Sequence, residues 1–389
     1  MAVSPELTLA DMVFEGNTAV EPERATIRVL MAAGGTGGHI FPALAVAEEL
    51  RQRAQGRGPD GMDCAIEFLG TGRGLESRLI PAAGFPLRTV SAAGLKGIGG
   101  WRRLQNLLVL PRSAIETALV LREFQPDVVV GMGGYSAGPA VLEAALRDIP
   151  TLLIEPNVAP GFTNRVLALV VRLAAVGFAE AAQFYGVKAR VTGHPVREAF
   201  YRTPPKEHIS PFTVMVLGGS QGSGPINACV VKSLPLFAAG APGLRFIHQT
   251  GDRDYNGVRQ AYAEQGIAAE VHAFIDQVAE ALAHADLVIS RAGALTVAEL
   301  AAAGKAAVLI PFAAATDQHQ LENARALERA GAARVIVQNQ LTPQELVTTV
   351  RELLSHPERL LEMEQCARRL AVPDAAARIA DLIEELAVH

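Results

Sequence analysis

The chain has 389 residues, of which 50% are hydrophobic and 19% are charged, and this composition excludes a disordered protein. Its formal net charge of -5 argues against a nucleic-acid-binding surface, and no apolar run is long enough to cross a bilayer. The three cysteines have neither metal nor disulfide spacing, which suits a reducing cytoplasm. We therefore expect a soluble cytoplasmic protein, long enough for two domains.

Residues 1–25 are acidic and lack the basic start and continuous apolar core of a signal peptide, so we interpret them as a poorly ordered extension. Beyond them, short β-branched runs alternate with Ala- and Leu-rich helical stretches. Continuous apolar runs of this length suit parallel strands that are buried on both faces and joined by helices. The candidate strands are TIRVLMA, AIEFLG, DVVVGMGG and TLLIEPN, then FTVMVLGGS, LRFIHQTG, AEVHAF, DLVISRAG and AAVLIPF.

The two halves of the chain open in the same way, with a strand, a glycine-rich loop and a helix. The first opens with RVLMAAGGTGGH and the second with VMVLGGSQGSG, and the proline-rich segment from Tyr201 to Pro211 separates them. We predict an α/β fold of two doubly wound, Rossmann-like parallel-sheet domains over residues 26–200 and 201–373. Ligands of such sheets bind beyond the carboxyl ends of the strands, so the cleft between the domains is the expected site.

The first glycine loop, GGTGGH, favours an anion-binding site. No lysine follows its glycines, which excludes a P-loop, and Ile40 stands where a dinucleotide-binding fingerprint needs its third glycine. A tight turn alone would explain some of the glycines. The loop has more glycines than a turn needs, and without side chains its backbone N–H groups can approach an anion at a helix N-terminus. The same argument applies to GGSQG, where the Ser220 side chain adds a donor. In a third stretch, GMGGYSAGPA, the glycines allow close packing around Tyr135, and Pro139 stands at an expected helix start.

The stretch SRAGALTVAEL is the most informative part of the second half. Thr296 is the expected helix start, and Thr296 with Glu299 fits the T-x-x-E capping box. The alternative is that the helix N-terminus holds a diphosphate while the Glu299 carboxylate accepts from two ribose hydroxyls. Beyond the next strand, TDQHQLEN offers polar groups for a sugar. The acidic pair in Asp252–Asp254 is explained more simply by Asp–Arg pairing than by a metal.

Together these motifs closely resemble the peptidoglycan glycosyltransferases that add N-acetylglucosamine (GlcNAc) from its UDP donor to lipid I and so make lipid II. The resemblance covers roughly residues 26–385 and implies the GT-B fold, in which the last helix, here about residues 374–389, returns to the N-terminal domain. It also implies inverting transfer without a metal or other cofactor, at the cytoplasmic face of the plasma (inner) membrane. The implied partners are UDP-GlcNAc, lipid I, an anionic membrane surface and a cell-wall synthesis complex, with no nucleic acid.

Carried over by position, the resemblance implies that the second domain holds the donor. The backbone at Phe274 and Ile275 would contact the uracil, Glu299 the ribose, and Arg197 the nucleotide. The diphosphate would bind Ser220 and the amides of Ala294, Leu295 and Thr296. The implied sugar contacts and facing-loop contacts are His319, Gln320, Asn157, Thr36, Gly37 and Gly38.

The implied acceptor site lies in the first domain, where the first glycine loop would face the diphosphate and the sugar of the acceptor. Its implied residues are Gly35, His39, Gly134, Tyr135 and Glu155. The attacking C4 hydroxyl must lose a proton, and histidine suits that role. His39 could instead donate to the acceptor phosphate, and the sequence leaves both roles open. A helix N-terminus would lower the pKa of His39 by disfavouring its protonated form. The family often has His-Glu-Gln-Asn where this chain has IEPN, and often asparagine at position 194, where His194 is a minor departure.

The segment LKGIGGWRRLQNLLVLPR mixes apolar and basic residues at helical spacing. Trp101 and Leu104 lie near Arg102 and Arg103, a pattern typical of a helix on an anionic membrane. A core-facing helix with a solvated basic edge explains the pattern equally well. Two other functions also stay open: a GT-B transferase with another sugar or a diacylglycerol acceptor, and a non-catalytic nucleotide-sugar-binding subunit.

Overall fold

The computed structural model describes residues 26–35, 37–56, 63–91, 109–219, 221–240, 243–312 and 318–388. Its strands form two sheets in which every pairing is parallel. The first sheet consists of Thr26–Ala32 (β1), Asp63–Gly70 (β2), Leu87–Thr89 (β3), Val128–Gly131 (β4), Thr151–Glu155 (β5), Leu173–Val176 (β6) and Ala189–Val191 (β7). The second consists of Phe212–Leu217 (β8), Leu244–Gln249 (β9), Ala268–His272 (β10), Leu287–Ser290 (β11), Ala307–Leu309 (β12) and Ala333–Val335 (β13).

The strand order is β3-β2-β1-β4-β5-β6-β7 in the first sheet and β10-β9-β8-β11-β12-β13 in the second. In both sheets the order reverses beside the first strand, which is the topological switch point of a doubly wound fold. The predicted fold class is therefore confirmed. Four strands were not predicted, namely β3, β6, β7 and β13, each of only three or four residues.

Helices cover both faces of each sheet. In the first half they are Gly37–Gly56 (α1), Glu76–Ala82 (α2), Val109–Phe124 (α3), Gly134–Leu146 (α4), Phe162–Leu167 (α5) and Glu198–Tyr201 (α6). In the second half they are Gly224–Gly240 (α7), Tyr255–Glu264 (α8), Val278–His284 (α9), Ala294–Ala303 (α10), His319–Arg329 (α11), Pro343–Leu354 (α12), Pro357–Leu370 (α13) and Ala375–Val388 (α14). Among the described helices, none is both long enough and apolar enough to span a membrane.

Side chains of successive strand residues pack on opposite faces of each sheet, as a period of two requires. Val29 and Met31 of β1 join a core with α1, whereas Leu30 and Ala32 join the core on the other face. The last helix, α14, contributes Ile379 and its apolar neighbours to the core of the first sheet. Arg53 of α1 also forms ion pairs with Asp381 and Glu384 of α14. The C-terminal end of the chain therefore packs against the first domain.

His208, in the segment that joins the sheets, belongs to a buried charge cluster. Its Nδ1 lies 2.9 Å from Asp286 Oδ1 and its Nε2 3.5 Å from Glu364 Oε1, while Lys206 also pairs with Asp286. Hydrogen bonding to the two carboxylates outweighs burial and raises the pKa of His208 to about 9. The connecting segment is thus fastened to the second domain by a protonated histidine.

We expect His208 to stabilise the fold in a pH-dependent way. Its folded-state pKa is about 9 against an ordinary value of 6.5, so its contribution is complete below about pH 6.5 and is lost as the pH rises through 9. At pH 6, His208→Gln should lower the free energy of unfolding by about 1 to 3 kcal/mol, and by much less at pH 10. Denaturant unfolding followed by circular dichroism measures this, with His284→Gln on the exposed end of α9 as the control. A difference that does not change with pH would contradict the assignment.

Candidate active site

A cleft with a cavity volume of about 560 Å³ lies between the two sheets, at the carboxyl ends of their strands. Its first wall includes Gly37, Gly38 and His39 at the start of α1, together with α2 residues and the loop after β5. Its second wall includes the glycine loop after β8 and the start of α10. Both switch points of the fold therefore open into one cavity, which is where doubly wound proteins bind ligands.

The first glycine loop brings the N-terminus of α1 to the cleft. Gly35 has a positive φ of 95°, and its N–H donates to the Glu76 carboxylate at 2.5 Å. That amide is already occupied, so the prediction that Gly35 binds the acceptor directly is wrong for its N–H group. Gly37 and Gly38 line the cleft as predicted for a ligand-facing loop, and Thr36 lies outside the described residues.

His39 lies in the cleft wall and is partly exposed. Within the described chain its Nδ1 is buried and has no hydrogen-bond partner. Burial lowers the pKa of His39, and a hydrogen bond to the Gly34 backbone opposes this shift. The direction agrees with the sequence-based expectation, but the main cause is burial and not the helix N-terminus. His39 is therefore a neutral imidazole that can accept a proton at neutral pH.

A second histidine lies close enough to interact electrostatically with His39. His194 is buried, its Nδ1 lies 3.0 Å from the Pro195 carbonyl oxygen, and its Nε2 has no partner among the residues described. Burial is the main cause that lowers the pKa of His194 to about 4; the hydrogen bond to the Pro195 backbone opposes this shift, and the charge of His39 adds to it. His39 and His194 are therefore both neutral imidazoles at neutral pH.

The second glycine loop is held by Gln249. The side-chain amide of Gln249 donates to the Gly219 carbonyl at 2.8 Å and accepts from the Ile275 N–H at 2.9 Å. This N–H is therefore unavailable to a nucleobase, although Phe274 and Ile275 both line the cleft. Gly222 must be glycine, because a Cβ there would lie 1.8 Å from the Thr250 carbonyl oxygen. Ser220 lies outside the described residues.

Helix α10 begins at Ala294, two residues before the predicted start at Thr296. Its N-cap is Gly293 in an extended conformation, with no side-chain cap, so the predicted capping box does not form. The cause is positional, since Thr296 already lies inside the first turn. Ala294, Leu295 and Thr296 line the cleft, so the first turn faces the cavity. Unsatisfied N–H groups of a first turn favour an anion.

Arg291 is a cleft residue that was not predicted. It is only 8% exposed, donates to the Ile310 carbonyl at 3.0 Å and lies over the Phe312 ring. Burial lowers its pKa to about 10, so it stays protonated at neutral pH. It follows the last residue of β11 and is separated from the start of α10 by Ala292 and Gly293, and an arginine between a buried strand and a helix that begins after a glycine was the signal that could have found it.

Glu299 projects into the cleft from the second turn of α10. Burial raises its pKa to about 7, and the charge and hydrogen bond of Arg197 oppose that shift. The Arg197 Nη2 lies 3.2 Å from Glu299 Oε1, and its guanidinium lies over the Phe41 ring of α1. Arg197 therefore touches both walls of the cleft at the residue predicted to hold a ribose.

Two predicted ligand contacts lie elsewhere. Glu155 is completely buried, and its carboxylate accepts from Asn157, Asn164 and Tyr185, so direct acceptor contact is wrong. The Nδ1 of His319 lies 2.7 Å from the Ala159 carbonyl oxygen, and His319 is not among the residues that line the cleft. Both side chains form hydrogen bonds within the protein, which their positions in the sequence motifs did not predict.

Asn157 and Gln320 do line the cleft. Asn157 Oδ1 accepts from Asn323 at 3.1 Å, and Asn323 Oδ1 accepts from the Val158 N–H at 3.0 Å. The Gln320 Oε1 accepts from the Phe312 N–H at 3.0 Å. Asn323 is completely buried and joins the loop after β5 to α11 of the other domain. This linking role of Asn323 was not predicted.

The structure shows less about the remaining predicted residues. Gly134 begins α4, so Pro139 lies inside that helix and not at its start, and the side chain of Tyr135 is outside the described part. Trp101, Arg102, Arg103 and Leu104 fall outside the described residues as well. Among the residues described, no group of three or more His, Cys, Asp or Glu side chains could hold a metal ion. Arg253 pairs with Asp254, which explains the acidic triplet without a metal.

Both halves of the chain match models of one enzyme family. Residues 29–176 match the glycosyltransferase family 28 N-terminal domain, and residues 213–379 match its C-terminal domain. A relative from Myxococcus xanthus is 45% identical over 93% of this chain and 94% of its own length. Its name is UDP-N-acetylglucosamine–N-acetylmuramyl-(pentapeptide) pyrophosphoryl-undecaprenol N-acetylglucosamine transferase, and a relative of the same name from Anaeromyxobacter is 46% identical over 92% of this chain and 93% of its own.

Comparison with solved structures gives the same family. The crystal structure of Acinetobacter baumannii MurG has a TM-score of 0.74 and 33% identity, and covers 92% of this chain and 99% of that one. A UDP-GlcNAc 2-epimerase from Neisseria meningitidis, at 14% identity and a TM-score of 0.64 over 92% of this chain and all of its own, shares the fold alone.

The chain is thus a two-domain glycosyltransferase of the GT-B fold, and it belongs to glycosyltransferase family 28. Within it, the chain belongs to the family of the lipid II-forming N-acetylglucosaminyltransferases of peptidoglycan synthesis.

Proposed function

We propose that the cleft catalyses inverting transfer of GlcNAc from UDP-GlcNAc to lipid I by direct displacement. The C4 hydroxyl of the N-acetylmuramyl sugar attacks the anomeric carbon of GlcNAc. The bond between that carbon and the diphosphate oxygen breaks, UDP leaves, and lipid II is formed. The observation that carries this assignment is the meeting of two helix N-termini in one cleft, with His39 on one wall and Arg291 and Glu299 on the other.

The donor is proposed to bind the second domain. The first turn of α10 offers N–H groups to the diphosphate, and the buried cation of Arg291 adds charge stabilisation as UDP leaves. Glu299, in its carboxylate form, would accept from the ribose hydroxyls, with Arg197 beside it. Gln320 and Asn157, both in the cleft wall, would contact the sugar.

The acceptor is proposed to bind the first domain, with its diphosphate at Gly37 and Gly38. His39 then stands where the acceptor hydroxyl meets the donor sugar, and burial keeps its imidazole neutral and able to take the proton. The alternative is that His39 donates to the acceptor phosphate. If His39 is the base, its loss should reduce the catalytic rate far more than it reduces substrate affinity.

Replacing His39 with alanine should lower kcat about 100-fold or more, since a positioned general base contributes that much. The KM for UDP-GlcNAc should change little. A UDP-release assay on the purified protein with a short-chain lipid I analogue measures both values, and His356→Ala, on an exposed part of the second domain, is the control. An unchanged kcat would rule out the base role.

The same assay separates the competing functions. A non-catalytic subunit would release no UDP with any acceptor. A GT-B transferase of another specificity would release UDP only with another sugar donor or with diacylglycerol in place of the lipid I analogue.

We expect UDP-GlcNAc binding to weaken as the pH falls through about 7. The pKa of Glu299 is about 7 in the structure, and protonation removes acceptor capacity from the carboxylate that would hold the ribose diol. The donor KM of the wild type should therefore rise below pH 7. Glu299→Gln should raise it about tenfold at pH 8 and abolish the pH dependence. Glu280→Gln, exposed on α9, is the control, and a pH-independent wild-type KM would contradict the ribose assignment.

A polyprenyl-linked acceptor requires contact with the cytoplasmic face of the plasma membrane, where the enzyme would act as a peripheral protein beside other cell-wall enzymes. The basic and apolar segment at residues 95–112 continues into α3. On α3, Ile115 is 63% exposed and Leu119 is 52% exposed. Two exposed apolar side chains one turn apart, next to the basic segment, support an interfacial helix over a core-facing one.

Liposome flotation tests this proposal. The protein should float with vesicles that contain anionic lipid and float poorly with neutral vesicles, because basic residues near the surface each add to binding. The double variant Arg102→Glu, Arg103→Glu should lose the anionic preference, and Arg325→Glu on α11 should not. Binding that ignores both lipid charge and the double variant would exclude the electrostatic part of the proposal.

A further inference from the structure

Glu76 carries a completely buried carboxylate beneath the first glycine loop. Its Oε2 accepts from the Gly35 N–H at 2.5 Å. Its Oε1 accepts from the Thr71 N–H at 2.5 Å, the Thr71 hydroxyl at 2.7 Å and the Arg73 N–H at 3.4 Å. All four partners are donors, which suits the acceptor-only oxygens of a carboxylate.

The carboxylate joins two loops that meet at the cleft. Gly35 belongs to the loop before α1, and Thr71 and Arg73 belong to the loop between β2 and α2. The two loops also form a parallel bridge between Gly35 and Gly74. In the described part of the chain, Glu76 has no ion-pair partner. Backbone N–H groups therefore supply most of the hydrogen bonds that stabilise the buried negative charge of Glu76, as they do for a bound anion.

The second glycine loop is held differently, although its fold position is equivalent. Gly219, like Gly35, follows the first strand of its sheet and has a positive φ, here 86°. Its support is the neutral amide of Gln249, which donates to the Gly219 carbonyl at 2.8 Å. No carboxylate is bonded to this loop among the residues described. One loop thus has an internal anion on its first amide, and the other has none.

We propose that Glu76 is a positioning residue of the acceptor site: its carboxylate occupies the innermost amide of the first glycine loop and fixes where the loop presents Gly37, Gly38 and His39. This inference rests on the proposed function. The internal anion repels a second anion from the same amide, so the acceptor diphosphate binds further along the loop. His39 is only four residues from Gly35, so a shift of the loop displaces the group nearest the reacting hydroxyl.

The test uses Glu76→Gln, which changes the two oxygens unequally. The remaining oxygen can keep the three donors from Thr71 and Arg73, while the new NH₂ group faces the Gly35 N–H and releases it. We expect kcat to fall about tenfold and the KM for the lipid I analogue to rise, with the UDP-GlcNAc KM within about twofold of wild type. Hydrogen exchange should increase in peptides that contain Gly35–His39 and not in those that contain residues 213–226.

Two further variants separate positioning from general stability. Thr71→Val removes one hydrogen bond from the same carboxylate but leaves Gly35 bound, so its kinetics and its exchange at Gly35–His39 should match wild type. Gly70→Ala keeps the charge of Glu76 but sets a Cβ 2.9 Å from its Oε1, so it should reproduce the Glu76→Gln pattern. If Glu76→Gln fails to fold, as judged by circular dichroism, the Gly70→Ala variant is used to test the inference instead.

The inference is overturned if the folded Glu76→Gln or Gly70→Ala protein keeps wild-type acceptor kinetics and wild-type exchange in the loop. It is also overturned if Thr71→Val matches Glu76→Gln in both measurements. A wild-type enzyme that releases no UDP with the lipid I analogue contradicts the proposed function instead. The exchange measurement still tests whether Glu76 holds the loop in that case.

Discussion

The parallel direction of both sheets is the constraint on which the rest of the structure depends. Parallel strands place all their carboxyl ends, and the N-termini of the helices that follow, at one edge of a sheet. Two such edges face each other here, so the starts of α1 and α10 line one cleft. Each start exposes backbone N–H groups that favour anions. The proposed reaction joins two diphosphate-bearing substrates, and two helix N-termini that face one cleft suit two such anions.

The walls of the cleft are tied together by side chains that are mostly buried. Asn323 of α11 bonds to the Val158 N–H and to Asn157, and His319 bonds to the Ala159 carbonyl. Beneath this contact, Glu155 accepts from Asn157 and so fixes the loop from below. The helix that carries Gln320 is therefore attached to the loop on the opposite wall. Opening the cleft breaks these hydrogen bonds, which makes the relative position of the two substrates a property of both domains.

The sequence predicted the fold well where the physical signal is local. The central strands β1 and β8 are continuous apolar runs followed by glycines, and they define the two domains. The short edge strands β3 and β7 have no fully buried residue, so they carry no hydrophobic pattern to find. Strand β6 is fully buried, but its sequence LAAV suits a buried helix equally well.

The site was predicted less completely, because side-chain direction depends on distant contacts. His39 and Glu299 were found in motifs and do line the cleft. Glu155 and His319 were assigned to ligands by position, yet both side chains bond within the protein. Glu155 accepts from Asn157, Asn164 and Tyr185, and His319 bonds to the Ala159 carbonyl, 160 residues away in sequence. The Glu76 carboxylate was missed for the same reason, since 41 residues separate it from Gly35. No local pattern encodes a hydrogen bond across such a separation.

Burial is the common cause of the pKa shifts in the cleft, and for His39, Arg291 and Glu299 it favours the neutral form. It lowers the pKa of His39, which keeps a proton acceptor neutral, and it leaves Arg291 protonated at a pKa of about 10. A cation in a desolvated site stabilises the growing charge of a leaving diphosphate more strongly than one in water does. The same burial disfavours the carboxylate form of Glu299, whose pKa rises to about 7 even with Arg197 beside it. Ribose hydroxyls that donate to this carboxylate would favour its charged form, so donor binding would lower the pKa of Glu299 again.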